Sequence, residues 1–221
     1  MSLARRSPRI ALIHALAHSV APINEAMARD WPQARRMNLL DDSLSADLAA
    51  SGRLDAAMHE RFQGLARYAV DCGSEAILFT CSAFGPCIQA VASKQAPLPV
   101  LKPNEAMIAD AAAMGLRIGL VATFAPTLDS MRPEFPKAVE LECALAEGAL
   151  AALDAGDTQT HDTLITGKAL ELARRGCGVI VLAQFSMARA QPRVAAETGL
   201  PVLTTVDSAV AALKRRLGSV G

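Results

Sequence analysis

Cys81 is the residue of this sequence best placed to do chemistry. It follows the apolar run Ala76-Ile77-Leu78-Phe79-Thr80, which has the form of a buried strand. After it come Ser82-Ala83-Phe84-Gly85, and a helix is expected to start near Pro86. A thiol at such a junction meets unpaired backbone N–H groups and the positive end of a helix dipole, both of which favour a thiolate. The same N–H groups, with Ser82, suit a bound carboxylate. A thiolate there would serve as a base or a nucleophile; the competing reading is a small buried hydrophobe. His14, at the mouth of the first apolar run, is a second candidate acid or base, set against a packed and hydrogen-bonded imidazole.

The remaining titratable residues suggest less. His18, His59 and His161 have no constellation around them. His14 and His18 make a metal pair only if their loop is helical, and no acidic ligand lies nearby. Cys81 and Cys87 lack the C-x-x-C spacing, Cys177 precedes its strand, and Asp41-Asp42 read as turn chemistry. No phosphate-binding glycine motif follows a strand. No metal site is expected.

Across the whole chain, 52% of the 221 residues are hydrophobic and 20% charged, enough apolar material for one large α/β domain or two lobes. Lys+Arg and Asp+Glu both number 22, and aromatics are 4%, so neither phosphate neutralisation nor base stacking is provided for, and no nucleic-acid partner is expected. Apolar runs fall short of the roughly 20 residues of a membrane span, so no membrane partner is expected either. Arg5 and Arg6 ahead of an apolar stretch imitate a signal peptide, but His14 and His18 interrupt it. Five scattered cysteines point to free thiols and a cytoplasmic setting.

Strands are expected at Ile10–Ile13, Met37–Leu40, Ala76–Thr80, Leu98–Leu101, 117–122, 138–143, 179–183 and 201–204. Helices fall between them: Val20–Arg29, Arg53–Val70 closed by Gly73, Glu105–Met114 after Asn104, and 207–217. This alternation means mainly parallel sheet. The order also repeats. Arg9-Ile10-Ala11-Leu12-Ile13 returns as Arg117-Ile118-Gly119-Leu120-Val121, Gly73 and its strand as Gly176 and Val179-Ile180-Val181-Leu182-Ala183, and Leu98-Pro99-Val100-Leu101 as Leu200-Pro201-Val202-Leu203. One offset of about 105 residues covers all three matches, as an internal duplication would give. The expected fold is α/β with two pseudo-symmetric lobes and a cleft between them. The first lobe is 1–103 and the second 104–204, with a C-terminal helix of about 205–221 packing back on the first.

Parallel sheets present functional loops at the carboxyl ends of their strands, so equivalent loops should face each other across the cleft. That places Gln184-Phe185-Ser186-Met187 opposite Cys81-Ser82-Ala83, with Thr123 and Thr127 after the first strand of the second half.

The stretches Phe79-Thr80-Cys81-Ser82-Ala83-Phe84-Gly85 and Leu182-Ala183-Gln184-Phe185-Ser186-Met187-Ala188, set in a duplicated chain, resemble the aspartate/glutamate/hydantoin racemase superfamily. The resemblance implies two α/β lobes, no metal or organic cofactor, and one cysteine from each lobe on opposite faces of a small carboxylate substrate. One thiolate removes the proton alpha to the carboxylate, and the other thiol returns it. By this resemblance Cys81 is the first catalytic cysteine, Gln184 stands where the second would be, and Ser82, Ala83, Thr123, Thr127, Phe185 and Ser186 surround the substrate. Gln184 departs from the pattern, since an amide has no useful pKa. Three readings follow: a cofactor-independent isomerase or racemase, a single-cysteine decarboxylase of the same fold, or a catalytically silent carboxylate-binding protein. Whether the chain forms a homo-oligomer stays open.

Overall fold

The computed structural model describes residues 7–218. The Arg5-Arg6 pair and the last three residues of the expected C-terminal helix lie outside them. Two four-stranded sheets carry the fold. β1 (Arg9–His14), β2 (Arg35–Leu40), β3 (Ala76–Phe79) and β4 (Val100–Leu101) form the first, in the order β2-β1-β3-β4. β5 (Ile118–Ala122), β6 (Leu141–Leu145), β7 (Val179–Leu182) and β8 (Val202–Thr204) form the second, in the equivalent order β6-β5-β7-β8. All pairings are parallel, so helical crossovers join the strands. In the first half these are α1 (Val20–Asp30), α2 (Ser43–Ser51), α3 (Ala56–Asp71), α4 (Gly85–Gln95) and α5 (Glu105–Ala113). In the second they are α6 (Ala125–Met131), α7 (Ala149–Asp154), α8 (Thr158–Arg174), α9 (Gln191–Thr198) and α10 (Thr205–Gly218). None of the described helices is long and apolar enough to cross a membrane.

The two halves repeat down to their punctuation. Asp55 caps α3 by accepting from the N–H of Met58, and Asp157 caps α8 by accepting from that of Thr160. Gly73 and Gly176, both at positive φ, end these helices. Beyond each glycine the next N–H reaches back to a carbonyl of the last turn, Ser74 to Ala69 and Cys177 to Leu172. Strands β3 and β7 then begin at equivalent places, which brings Cys81 and Gln184 to equivalent strand ends.

Several elements differ from expectation: β4 covers only Val100–Leu101 of the expected Leu98–Leu101, and α3 starts at Ala56 rather than Arg53. Asp41-Asp42 do not close a plain turn but lead into α2, whose stabilising apolar contacts come mainly from Leu44 and Leu48, one helical turn apart and both buried. Two strong apolar residues in nine are too few to register as a period. β6 runs over Leu141–Leu145 rather than 138–143, because a turn from Pro136 to Val139 occupies the segment just before it.

Packing crosses between the halves. The buried side of α5, with Met107, Ile108 and Ala111, joins Ile118 and Leu120 of β5 and Val179 and Val181 of β7. α10, with Val206, Ala209, Val210 and Leu213, joins Ile10 and Leu12 of β1 and Leu78 of β3. Phe185, just beyond β7, is wholly buried in that first-sheet cluster, while Phe124, just beyond β5, packs against the cluster on the sheet's other face. The carboxyl ends of the two sheets therefore meet along one seam.

Candidate active site

Cys81 caps a 3-10 turn, Ser82–Phe84, that links β3 to α4, and α6 of the other half packs on that turn. It is 8% exposed. Burial pushes its thiol up to about 11, against the stabilising pull of the Ala83 N–H and the Ser45 hydroxyl on the sulfur. The same Ser45 hydroxyl donates to the Ala15 carbonyl at 3.0 Å. At neutral pH Cys81 is thus a protonated thiol beside the Ala83 N–H, which would steady the thiolate once formed, while the one hydrogen of Ser45 is held by Ala15 and reaches the sulfur only if the hydroxyl turns away from that carbonyl. Neither α2 nor Ser45 is legible in the sequence as part of the site, since α2 itself gives no periodic signal.

His14, the last residue of β1, is wholly buried and lines the same small pocket as Cys81. Asn38 Oδ1 accepts from its Nε2 at 3.0 Å, which leaves Nδ1 of the neutral ring to accept the Thr80 hydroxyl at 2.8 Å. Burial holds its pKa below the usual value, partly countered by the Asn38 bond. With both nitrogens engaged, His14 fixes Thr80, the residue before Cys81, and has no lone pair facing a substrate.

Across the seam Gln184 occupies the strand end equivalent to that of Cys81. Its Oε1 accepts from the N–H of Thr123 at 2.6 Å and from the Thr123 hydroxyl at 3.0 Å. A backbone N–H requires an oxygen opposite it, so this end of the amide is assigned and Nε2 remains the donor left over. Ser82 donates its hydroxyl to the carbonyl of Ala183 at 3.1 Å. The neighbours of Cys81 and Gln184 are therefore bonded to each other, and both residues flank one seam.

Thr127, in the first turn of α6, and Ser186, two residues past Gln184, are buried with hydroxyls that have no partner. Such orphans are costly, about 1–3 kcal/mol each, and a ligand oxygen would relieve them. Phe185, by contrast, packs inside the first sheet's cluster. Asn104, Ser130 and Thr205 carry further unpartnered buried oxygens at this end of the sheets, and no sequence pattern marks them. Asn104 stands at the N-cap of α5, but its side chain makes no cap bond, and its Nδ2 donates to Glu134 Oε2 at 2.7 Å. His161 gains a constellation in the fold, since its Nδ1 contacts Asp162, which also accepts from Arg189 Nε at 3.0 Å. No group of three or more His, Cys, Asp or Glu among the described residues is arranged to hold a metal.

The family model for Asp/Glu/Hydantoin racemase matches residues 17–213. Among solved structures the chain is similar to a glutamate racemase isoform from Bacillus anthracis, with a TM-score of 0.74 at 13% identity, covering 98% of this chain and 84% of that one. It is likewise similar to allantoin racemase from Klebsiella pneumoniae (TM-score 0.73, 18% identity, covering 96% and 88%). Unliganded arylmalonate decarboxylase shares the fold at a TM-score of 0.65 and 16% identity, with 94% and 91% covered. No functionally curated protein matches the sequence. Two parallel sheets in equivalent order, strand-end residues meeting at one seam and a family match over most of the chain lead to one conclusion: the chain belongs to the Asp/Glu/hydantoin racemase family.

Proposed function

We propose that the protein is a cofactor-independent isomerase of the racemase type, acting at the carbon alpha to the carboxylate of a small amino or organic acid, with Cys81 as the proton-transfer group. The observation that carries the reading is the seam itself. Cys81 and Gln184 stand at equivalent strand ends, joined through the Ser82 to Ala183 bond, with the unpartnered hydroxyls of Ser186, two residues past Gln184, and of Thr127, four past the Thr123 that Gln184 binds. In this reading the carboxylate takes those hydroxyls and backbone N–H groups at the strand ends. The Cys81 thiolate, steadied by the Ala83 N–H, removes the alpha proton as the carbon's electrons move into the carboxylate. Gln184 Nε2 donates a hydrogen bond to the charge that develops. The site is proposed as cytoplasmic. Deuterium wash-in at the alpha carbon, measured over small amino, hydroxy and dicarboxylic acids, tests the reading, with Cys81→Ala as control. Incorporation into none of them, or equal incorporation with Cys81→Ala, would sink it.

One observation favours a second reading, a decarboxylase. Racemisation needs a group to take a proton and another to return it on the opposite face, whereas decarboxylation needs one donor. Cys81 is a single thiol held protonated by burial, and Gln184 has no proton to transfer. In that reaction a carbon–carbon bond breaks, carbon dioxide leaves, and the Cys81 proton goes to the carbon left behind. Carbon dioxide release from a 2-substituted malonate would select it.

A further inference from the structure

Cys81 is buried, and among the described residues no cation is one of the groups acting on its sulfur, so a thiolate there depends on hydrogen bonds. The Ala83 N–H supplies one. A second donor stands on α2, a helix of 9 residues whose buried side chains are Leu44, Leu48 and one polar group, Ser45. Two leucines hold a helix weakly, and α2 is tied down by other means. The Asp41 N–H, just before it, donates to the His14 carbonyl at 3.0 Å. Ser45 Oγ donates to the next carbonyl of the chain, that of Ala15, also at 3.0 Å. Arg61 of α3 donates to Asp41 and to Ser43 at 2.6 Å each and pairs with Asp47. These ties fall on both sides of Ser45 in the sequence and fix it at the end of β1. Leu44, the residue before it, lines one small space together with Ala15 and Cys81, and the Ser45 hydroxyl is within reach of the sulfur.

We propose that Ser45 is a catalytic hydrogen-bond donor that changes partner with the charge on Cys81: its hydrogen lies on the Ala15 carbonyl while the sulfur is a thiol, and turns to the sulfur when the thiolate forms. The inference rests on the proposed function and deepens it, by assigning a second residue to the proton-transfer step. A hydroxyl has one hydrogen, so the two bonds exclude each other. The acceptor is a neutral carbonyl in one and an anion in the other, and a hydrogen bond to an ionised partner is roughly twice as strong. The turn therefore favours the thiolate, even though the Ala15 carbonyl loses its side-chain donor. Rotation about the Ser45 Cβ–Oγ bond moves the hydrogen and leaves α2 in place. When the sulfur takes the alpha proton from the substrate, Ser45 keeps its own hydrogen and returns it to Ala15.

Alkylation of Cys81 by iodoacetamide, followed on its own peptide by mass spectrometry from pH 7 to 10, reads the thiolate without any substrate. Ser45→Ala should react about threefold or more slowly than wild type at each pH, because less of the thiol is ionised, and Ser45→Thr, which keeps the hydroxyl, should stay within about twofold. A helix loosened by the substitution would expose the sulfur and speed the reaction, so the sign separates the hydrogen bond from packing. Deuterium wash-in is measured on the same variants with the fastest-exchanging of alanine, lactate, aspartate and glutamate. In Ser45→Ala its rate at saturating acid should fall about threefold or more, with the half-saturating concentration unchanged. Alkylation of Ser45→Ala as fast as wild type or faster overturns the inference and leaves the proposed function standing. So does Ser45→Thr reacting as slowly as Ser45→Ala with unchanged circular dichroism. Slower alkylation with undiminished wash-in overturns the catalytic role, since the bond would then form outside the reaction. No wash-in with wild type overturns the proposed function and this role with it, whatever the alkylation shows.

Discussion

A thiol and an amide at equivalent strand ends do not do equivalent work. The Cys81 thiol titrates near 11 because its charged form would be stripped of water, so its thiolate is scarce at neutral pH and grows tenfold per pH unit. Exchange at the alpha carbon should therefore keep rising past pH 9, where an unperturbed thiol would level off. A plateau reached at pH 9 or below would show that substrate binding restores an ordinary thiol or that another group is the base. Gln184 acts instead as an acceptor, because its Oε1 satisfies two donors of Thr123, one of them a buried backbone N–H. Gln184→Ala should cost about 1–3 kcal/mol in urea unfolding, because that N–H is left without an acceptor. Gln184→Cys carries a similar cost but places a titratable proton on the second face. Inversion should then rise relative to exchange, when chirality and deuterium are measured together on one substrate. Wild-type inversion as fast as exchange would mean a second base already stands opposite Cys81.

At the scale of elements, the turn that carries Cys81 is held by its neighbours from the other half. Glu134, in a 3-10 turn after α6, accepts from Asn104 at 2.7 Å and pairs with Lys102 at 3.2 Å, both on the link from β4 to α5. Its other carboxylate oxygen rests over Gly85, the first residue of α4, where an added Cβ would stand 2.8 Å from Oε1 and 3.0 Å from Ser130 Oγ. Gly85→Ala must therefore displace Glu134 or the start of α4, and should destabilise by about 1–3 kcal/mol in chemical denaturation. It should also speed alkylation of Cys81, which stands at the other end of the same short turn. An unchanged unfolding midpoint would mean that the carboxylate moves aside freely. These contacts mark what the sequence could and could not disclose. Strand-end residues such as Cys81, Thr123 and Gln184 were legible because a parallel sheet must place them at one edge, and the duplication identified which edge positions correspond. Glu134 and Asn104 were not, since each acts through a partner some thirty residues away and neither breaks a local pattern. Ser45 was hidden with its helix, whose two leucines carry too faint a period.

At the scale of the whole molecule, the two halves are joined through Phe124, Phe185, the exchanged helices α5 and α10, and polar bridges such as Ser82 to Ala183. Burial also holds two imidazoles below and four thiols, Cys81, Cys87, Cys143 and Cys177, above their ordinary values, which keeps them neutral. His14 and His161 have pKa values lowered from 6.5, chiefly by burial; His161 faces Asp162, Arg189 and His18, whereas the bonded partners of His14, Asn38 and Thr80, carry no charge. The unfolded chain takes up these protons from about pH 6.5 downward and the folded chain does not. Their contribution is complete above 6.5 and is lost as pH falls through the depressed values. Cys81 and Cys87 act in the opposite sense, with folded values near 11 against 9 when unfolded, so stability is complete below 9 and lost as pH rises through 11. Urea unfolding from about pH 3 to 10 should show a plateau between about 6.5 and 9, with stability falling on both sides. His14→Gln, which keeps a donor and an acceptor for Asn38 and Thr80, should flatten the acid limb, and Cys87→Ala should flatten the alkaline one. An acid limb that begins only in the carboxylate range, near pH 4, would mean the buried imidazoles are charged in the folded protein, and the network that fixes His14 beside Cys81 would have to be redrawn.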